Sequence, residues 1–121
     1  MYDETCLKSE LAPGSNDRKM HVDALDVVTS YKDKKQHLKL AVSVTDLAGY
    51  PVFEGDVELV IDPPAGTKFS LTNETNPYGI AFFDIPNVER GRWEVIVFNV
   101  QHPDYCFETS DRKSSWSITQ I

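Results

Sequence analysis

Between His37 and Ile61 the chain alternates apolar and polar residues, bends, and alternates again. In "HLKLAVSVTD", Leu38, Leu40, Val42 and Val44 share one side, while Lys39, Ala41, Ser43 and Thr45 share the other. A period of two is what an extended chain with one buried face requires, because successive side chains point to opposite faces. "LAGYPV" then turns the chain, with Gly49 free to take a positive φ and Pro51 fixing the exit. "GDVELVID" resumes the alternation through Val57, Leu59 and Ile61, so this stretch is predicted to form a hairpin.

The same period runs from Met20 to the end. "MHVDALDVVTSY" predicts a first strand, divided near Asp23 to Asp26 where two acids interrupt the apolar positions. "YKDKKQHLK", residues 31 to 39, reads as a solvated Lys-rich loop between strands, with contact to an anionic partner as the other reading. "TKFSLTNET" predicts a short strand through Phe69 and Leu71. "NPYG" is a turn, and "IAFFDI" a strand presenting Ile80, Phe82 and also Phe83. "RWEVIVFNV" is apolar on both sides, Trp93, Val95 and Val97 on one and Ile96 and Phe98 on the other. Such a strand is central or has its outer face covered, and water against Ile96 and Phe98 would mark an interaction surface. "SSWSITQI" closes the series, with Trp93 and Trp116 read as core. About seven strands separated by turn signals predict an all-β, antiparallel sandwich over residues 19–121. Residues 1–18 lack periodicity and contain "APGSND", so they read as a flexible N-terminal arm or linker. A helix over "DETCLKSEL" is the competing reading, but a segment that short needs packing to persist.

At 121 residues the chain fits one domain with a real core. A formal charge of −7 disfavours nucleic acid as the main partner. There is no apolar run of about 18 residues, so no membrane insertion is expected. The start has no apolar h-region, and the chain reads as a domain taken from a longer protein. Cys6 and Cys106 lie far apart, and no CxxC or Cys/His cluster suggests zinc. A Cys6–Cys106 disulfide would be worth roughly 4 to 5 kcal/mol in the chain-entropy model, and the sequence leaves it open.

Candidate chemistry changes this picture little. His21, His37 and His102 are the available general bases, but no GxSxG elbow, HExxH or GxxxxGK[ST] accompanies them. The expectation is therefore no enzyme and no cofactor. Asp23, Asp26, Asp104 and Asp111 could converge on Ca²⁺ if the first and last strands ran side by side. Without a DxDxDG loop, solvated acids on an acidic surface are the ordinary reading. "NET", residues 73 to 75, matches a glycosylation acceptor and is taken as a sign of exposure. Tyr50, Phe53 and Tyr78 lie in or beside turns, where rings could stack on the apolar faces of sugars. Lys39 and Glu58 could imitate part of an isopeptide bond, but the last strand has no Asn or Asp to complete it.

"MHVDALD", "VSVTDLAGYPVFEGDVEL" and "WEVIVFNVQHPDY" together resemble an immunoglobulin-like accessory domain of secreted bacterial proteins. Met20, His21, Val22, Leu25 and Asp26 match its opening strand, and Asp46, Gly49, Pro51, Val52 and Gly55 match an invasin-like hairpin. Gly79 matches the next turn, and Phe98, Asn99, Val100, His102 and Tyr105 match the late strand. Asp23 and Ala24 depart from the family's Gly-Asp pair. The resemblance implies an immunoglobulin-like sandwich, extracellular or at the cell surface, serving as spacer, stabiliser or docking domain. Its partners would be neighbouring domains of the same polypeptide. The alternative is an adhesion module that binds extracellular polysaccharide or a surface protein.

Overall fold

The computed structural model describes residues 19–108 and 116–121. Eight strands run in the order β1 (Lys19–Lys32), β2 (Lys35–Asp46), β3 (Asp56–Asp62), β4 (Phe69–Glu74), β5 (Ile80–Ile85), β6 (Arg92–Gln101), β7 (Cys106–Phe107) and β8 (Trp116–Gln120). They form two four-stranded sheets, β5-β2-β1-β7 and β4-β3-β6-β8. The chain makes the β1–β2 pair, crosses to make β3–β4, and returns to lay β5 beside β2. It then crosses again to lay β6 beside β3. This is an immunoglobulin-like sandwich, of the variety in which the fourth strand lies beside the third rather than beside the fifth. One pairing departs from the antiparallel expectation: the short β7 runs parallel to β1, with Lys19 opposite Cys106 and Met20 opposite Phe107.

The predicted hairpin over residues 37–61 is not one. Its bend forms, with Gly49 at φ 92°, but β2 and β3 belong to opposite sheets. Alternation fixes which side of a strand is buried, and the inner faces of both sheets of a sandwich carry the same pattern. A hairpin and a crossing therefore look alike in sequence.

The predicted division of the first strand is a bulge. Val22 pairs with Val44 and Ala24 with Ser43, leaving Asp23 as the extra residue. Met20 and Val22 point inward before it, and Leu25 and Val27 pack on the core after it. One inserted residue switches the inward parity and keeps both apolar pairs inside. A second bulge, between Glu58 and Leu59, acts likewise on β6. Leu59 pairs with Val97 and Glu58 with Asn99, so Phe98 is the extra residue and Val100 turns inward.

The Lys-rich stretch is not a loop either. Tyr31 and Lys32 end β1, Lys35 begins β2, and only Asp33 and Lys34 turn, at φ 53° and 65°. Two successive positive φ values match the right-handed twist of the flanking strands.

The core lies between the sheets, built from Leu38, Leu40, Val42 and Val44 of β2 against Val57, Leu59 and Ile61 of β3 and Val95 and Val97 of β6. Trp93 joins it as expected, its Nε1–H donating to Glu89 O at 2.9 Å. Phe82 does not: Ala81 and Phe83 face inward and Phe82 is exposed. Of Trp116 only the backbone pairing, opposite Ile96, lies within the described residues.

Candidate functional site

Three connections meet at one end of the sandwich: residues 47–55 between β2 and β3, 75–79 between β4 and β5, and 102–105 between β6 and β7. We call this the loop end. Each connection is fixed by a side chain that caps backbone groups. Asp46 Oδ1 accepts from Ala48 N and Tyr50 N, both at 2.9 Å, while Asp46 N donates to Tyr50 O. Asn76 Oδ1 accepts from Tyr78 N at 2.9 Å and Ile80 N at 3.1 Å. Short polar side chains that bond the backbone two to four residues on stabilise turns in this way.

Thr75 joins two of the connections. Among the described residues it is the buried polar side chain, 1% exposed. Its hydroxyl donates to Val52 O at 2.7 Å and accepts from Gly55 N at 2.8 Å. Its own amide donates to Gly55 O, and its carbonyl accepts from Glu54 N. Gly79 closes the remaining gap: at φ 77° a Cβ there would lie 2.7 Å from Val44 O and 2.9 Å from Pro51 Cβ. Only a residue without a side chain allows this approach.

His102 ties in the third connection. Its Nε2 is 2.9 Å from Phe53 O, and Asp104 N is 3.0 Å from its Nδ1. A carbonyl can only accept and an amide N–H can only donate, so these partners assign the Nε2–H tautomer. The ring also meets Tyr105 edge to face, with centroids 5.0 Å apart.

On this braced backbone the sequence-predicted aromatics stand outward. Tyr50 is 69% exposed, Phe53 47% and Tyr78 79%. Tyr50 and Tyr78 immediately precede Pro51 and Gly79, whose backbones are in contact range, so the fold brings the two tyrosines to neighbouring turns. Beside them is an open cleft of about 440 Å³ lined by Asp56, Asn99, Gln101, His102 and Tyr105, among others. Sequence reading met Thr75 only as the end of "NET", taken as a sign of exposure, and there the structure differs: Asn73 is exposed but Thr75 is buried. Asp56, Asn99 and Gln101 of the lining carry no motif and were missed. Thr75 matters only through the crossing of β4 to β5 beside residues 52–55.

The other candidates are scattered. Asp23 and Asp26 are exposed on β1, and Asp104 lies on the turn before β7. The parallel β1–β7 register puts Asp104 and Asp23 about six residue rises apart, roughly 20 Å. The first and last strands lie in different sheets, so side-by-side packing of those strands does not bring Asp23 and Asp26 to Asp104. Asp111 and Cys6 lie outside the described residues, while Cys106 is buried in β7. No group of three His, Cys, Asp or Glu that could hold a metal occurs among the described residues. Asn73 is exposed on β4, and its Nδ2 donates to Phe82 O at 2.6 Å.

The histidines do not gather. His21 Nε2 is 3.3 Å from Thr45 Oγ1, and His37 Nδ1 is 3.2 Å from Asp84 Oδ1, near opposite ends of β2. Register places Ser30 opposite His37 and Asp84 opposite Lys39, so Asp84 reaches His37 on a diagonal across β2 and β5. The two-residue turn at Asp33-Lys34 sets the Ser30–His37 pairing, which would be legible only once the turn was placed.

Compared with known proteins, the chain matches no family model, no curated protein and no solved structure.

Proposed function

We propose that this chain is a non-catalytic accessory module of a larger exported bacterial protein, and that it docks through its loop end. The observation that carries the reading is the braced presentation of Tyr50, Phe53 and Tyr78. Their backbones are fixed by Asp46, Thr75, Asn76 and His102, while the rings remain exposed. A ring on a fixed backbone offers large contact area at low entropic cost on binding. The chain enters the sandwich at this end with Lys19. Ile121 is held at the opposite end by reciprocal backbone bonds with Gly91, at 2.9 and 3.0 Å. A module threaded end to end in this way can also hold apart whatever flanks it.

A second reading is favoured by the cleft. Asp56, Asn99, Gln101 and His102 beside Tyr105 supply the mixture of hydrogen-bonding groups and a ring that an oligosaccharide uses. The two readings separate on immobilised surface proteins and polysaccharides, with Tyr50→Ala/Tyr78→Ala as the control. Retention on a protein surface that soluble polysaccharide does not compete supports docking, and competed retention supports the sugar reading. Retention unchanged in the double variant contradicts docking through the tyrosines, and retention unchanged in Asn99→Ala/Gln101→Ala contradicts the sugar reading. Turnover of a hydrolase substrate contradicts both.

A further inference from the structure

We propose that the outer face of the β4-β3-β6-β8 sheet is a second docking surface, made for a protein segment in which apolar side chains alternate with Lys or Arg. β6 is the strand whose two apolar sides the sequence could not account for. Its inner side is core, and its outer side faces water, with Ile96 38% and Phe98 62% exposed. Register extends the strip to both neighbours: Val60 lies opposite Ile96 on β3, and Ile118, 39% exposed, lies opposite Glu94 on β8. Phe98 follows Ile96 outward by alternation, and the Glu58/Leu59 bulge leaves it without a partner in the β3–β6 ladder. Contiguous apolar strips on an open sheet mark interaction sites.

The surrounding charge selects the occupant. Glu58 and Asp62 share the outward positions of β3 with Val60, and Asp56 and Glu74 extend the acid towards the loop end. Arg92 is the cation among the outward strand positions, at the far margin. A second copy laid face to face would set Glu58 and Asp62 against their own counterparts, which costs affinity. A segment with cations between its apolar residues meets the strip and its flanking carboxylates together. This holds whether or not the loop end binds anything, because no residue of the strip belongs to that end.

The test uses the full chain and two synthetic peptides, one alternating Leu with Lys and one alternating Leu with Glu, followed by fluorescence anisotropy. The Leu–Lys peptide is expected to bind saturably at one site, more weakly as salt rises, and the Leu–Glu peptide not at all. Phe98→Ser should weaken binding at least about tenfold with an unchanged melting temperature, since the ring is not core. Glu58→Gln should weaken it less and flatten its salt dependence. Equal binding to Phe98→Ser, equal binding of both peptides, no binding, or a dimer that Phe98→Ser dissolves would each overturn the proposal.

Discussion

The two ends of the sandwich are held together by different means. At the end opposite the loop end, the connections 86–91 and 33–34 rest mainly on backbone pairing: Val88 N to Gln36 O, and Gly91 with Ile121 in both directions. Residues 64–68 there are exposed throughout. At the loop end, by contrast, the polar side chains of Asp46, Thr75, Asn76 and His102 each hold backbone groups of a connection. Backbone pairing simply extends the strands, so its geometry is dictated by the sheets. Side-chain capping fixes shapes that the sheets do not dictate, and it costs specific residues. The loop end is where this sequence spends them, and it is also where the exposed tyrosines stand.

That contrast predicts an order of effects. Thr75→Val keeps the volume but strips partners from Val52 O and Gly55 N, both in a buried setting. It should cost about 3 kcal/mol in urea-induced unfolding, the largest effect among these substitutions. Gly79→Ala should cost about 2 kcal/mol, from a side chain forced into positive φ against Val44 O and Pro51. His102→Ala frees the third connection from the first and should cost about 1 kcal/mol. At the opposite end the sign reverses: Lys34→Gly relieves a left-handed residue and should stabilise by about 0.5 kcal/mol. Tyr50→Ala/Tyr78→Ala should leave stability within about 0.5 kcal/mol, because exposed rings far from the core contribute little to folding.

Much of the architecture was legible in the sequence. The inward faces of β2 and β3 follow directly from Leu38 to Val44 and from Val57 to Ile61, and Trp93 declares itself by its place in β6. What the pattern could not carry was register and sheet membership. Asp23 looked like a break because a one-residue bulge interrupts alternation just as a strand end does. Asp33-Lys34 lacks the Asn-Gly signature of a tight hairpin, so the surrounding lysines read as a loop. In "IAFFDI" either parity offers apolar residues, and the small Ala81, not Phe82, faces the core. At the loop end the exposed aromatics could be named from their turns. Their grouping could not, since it depends on β4 crossing to β5 and bringing Thr75 under residues 52–55. The cleft has the same origin: Asp56 and Asn99 are brought to one end by a β3–β6 register that contains a bulge.

The account turns on whether the loop end is as firm as the core beneath it. Amide hydrogen exchange reads this residue by residue. The amides of Tyr50, Gly55 and Thr75 should be protected to a degree approaching that of Leu40 and Val42 in β2, and Thr75→Val should remove the protection of Gly55 while sparing β2. Exchange at Tyr50, Gly55 and Thr75 as fast as at Gly66 and Lys68 would contradict it.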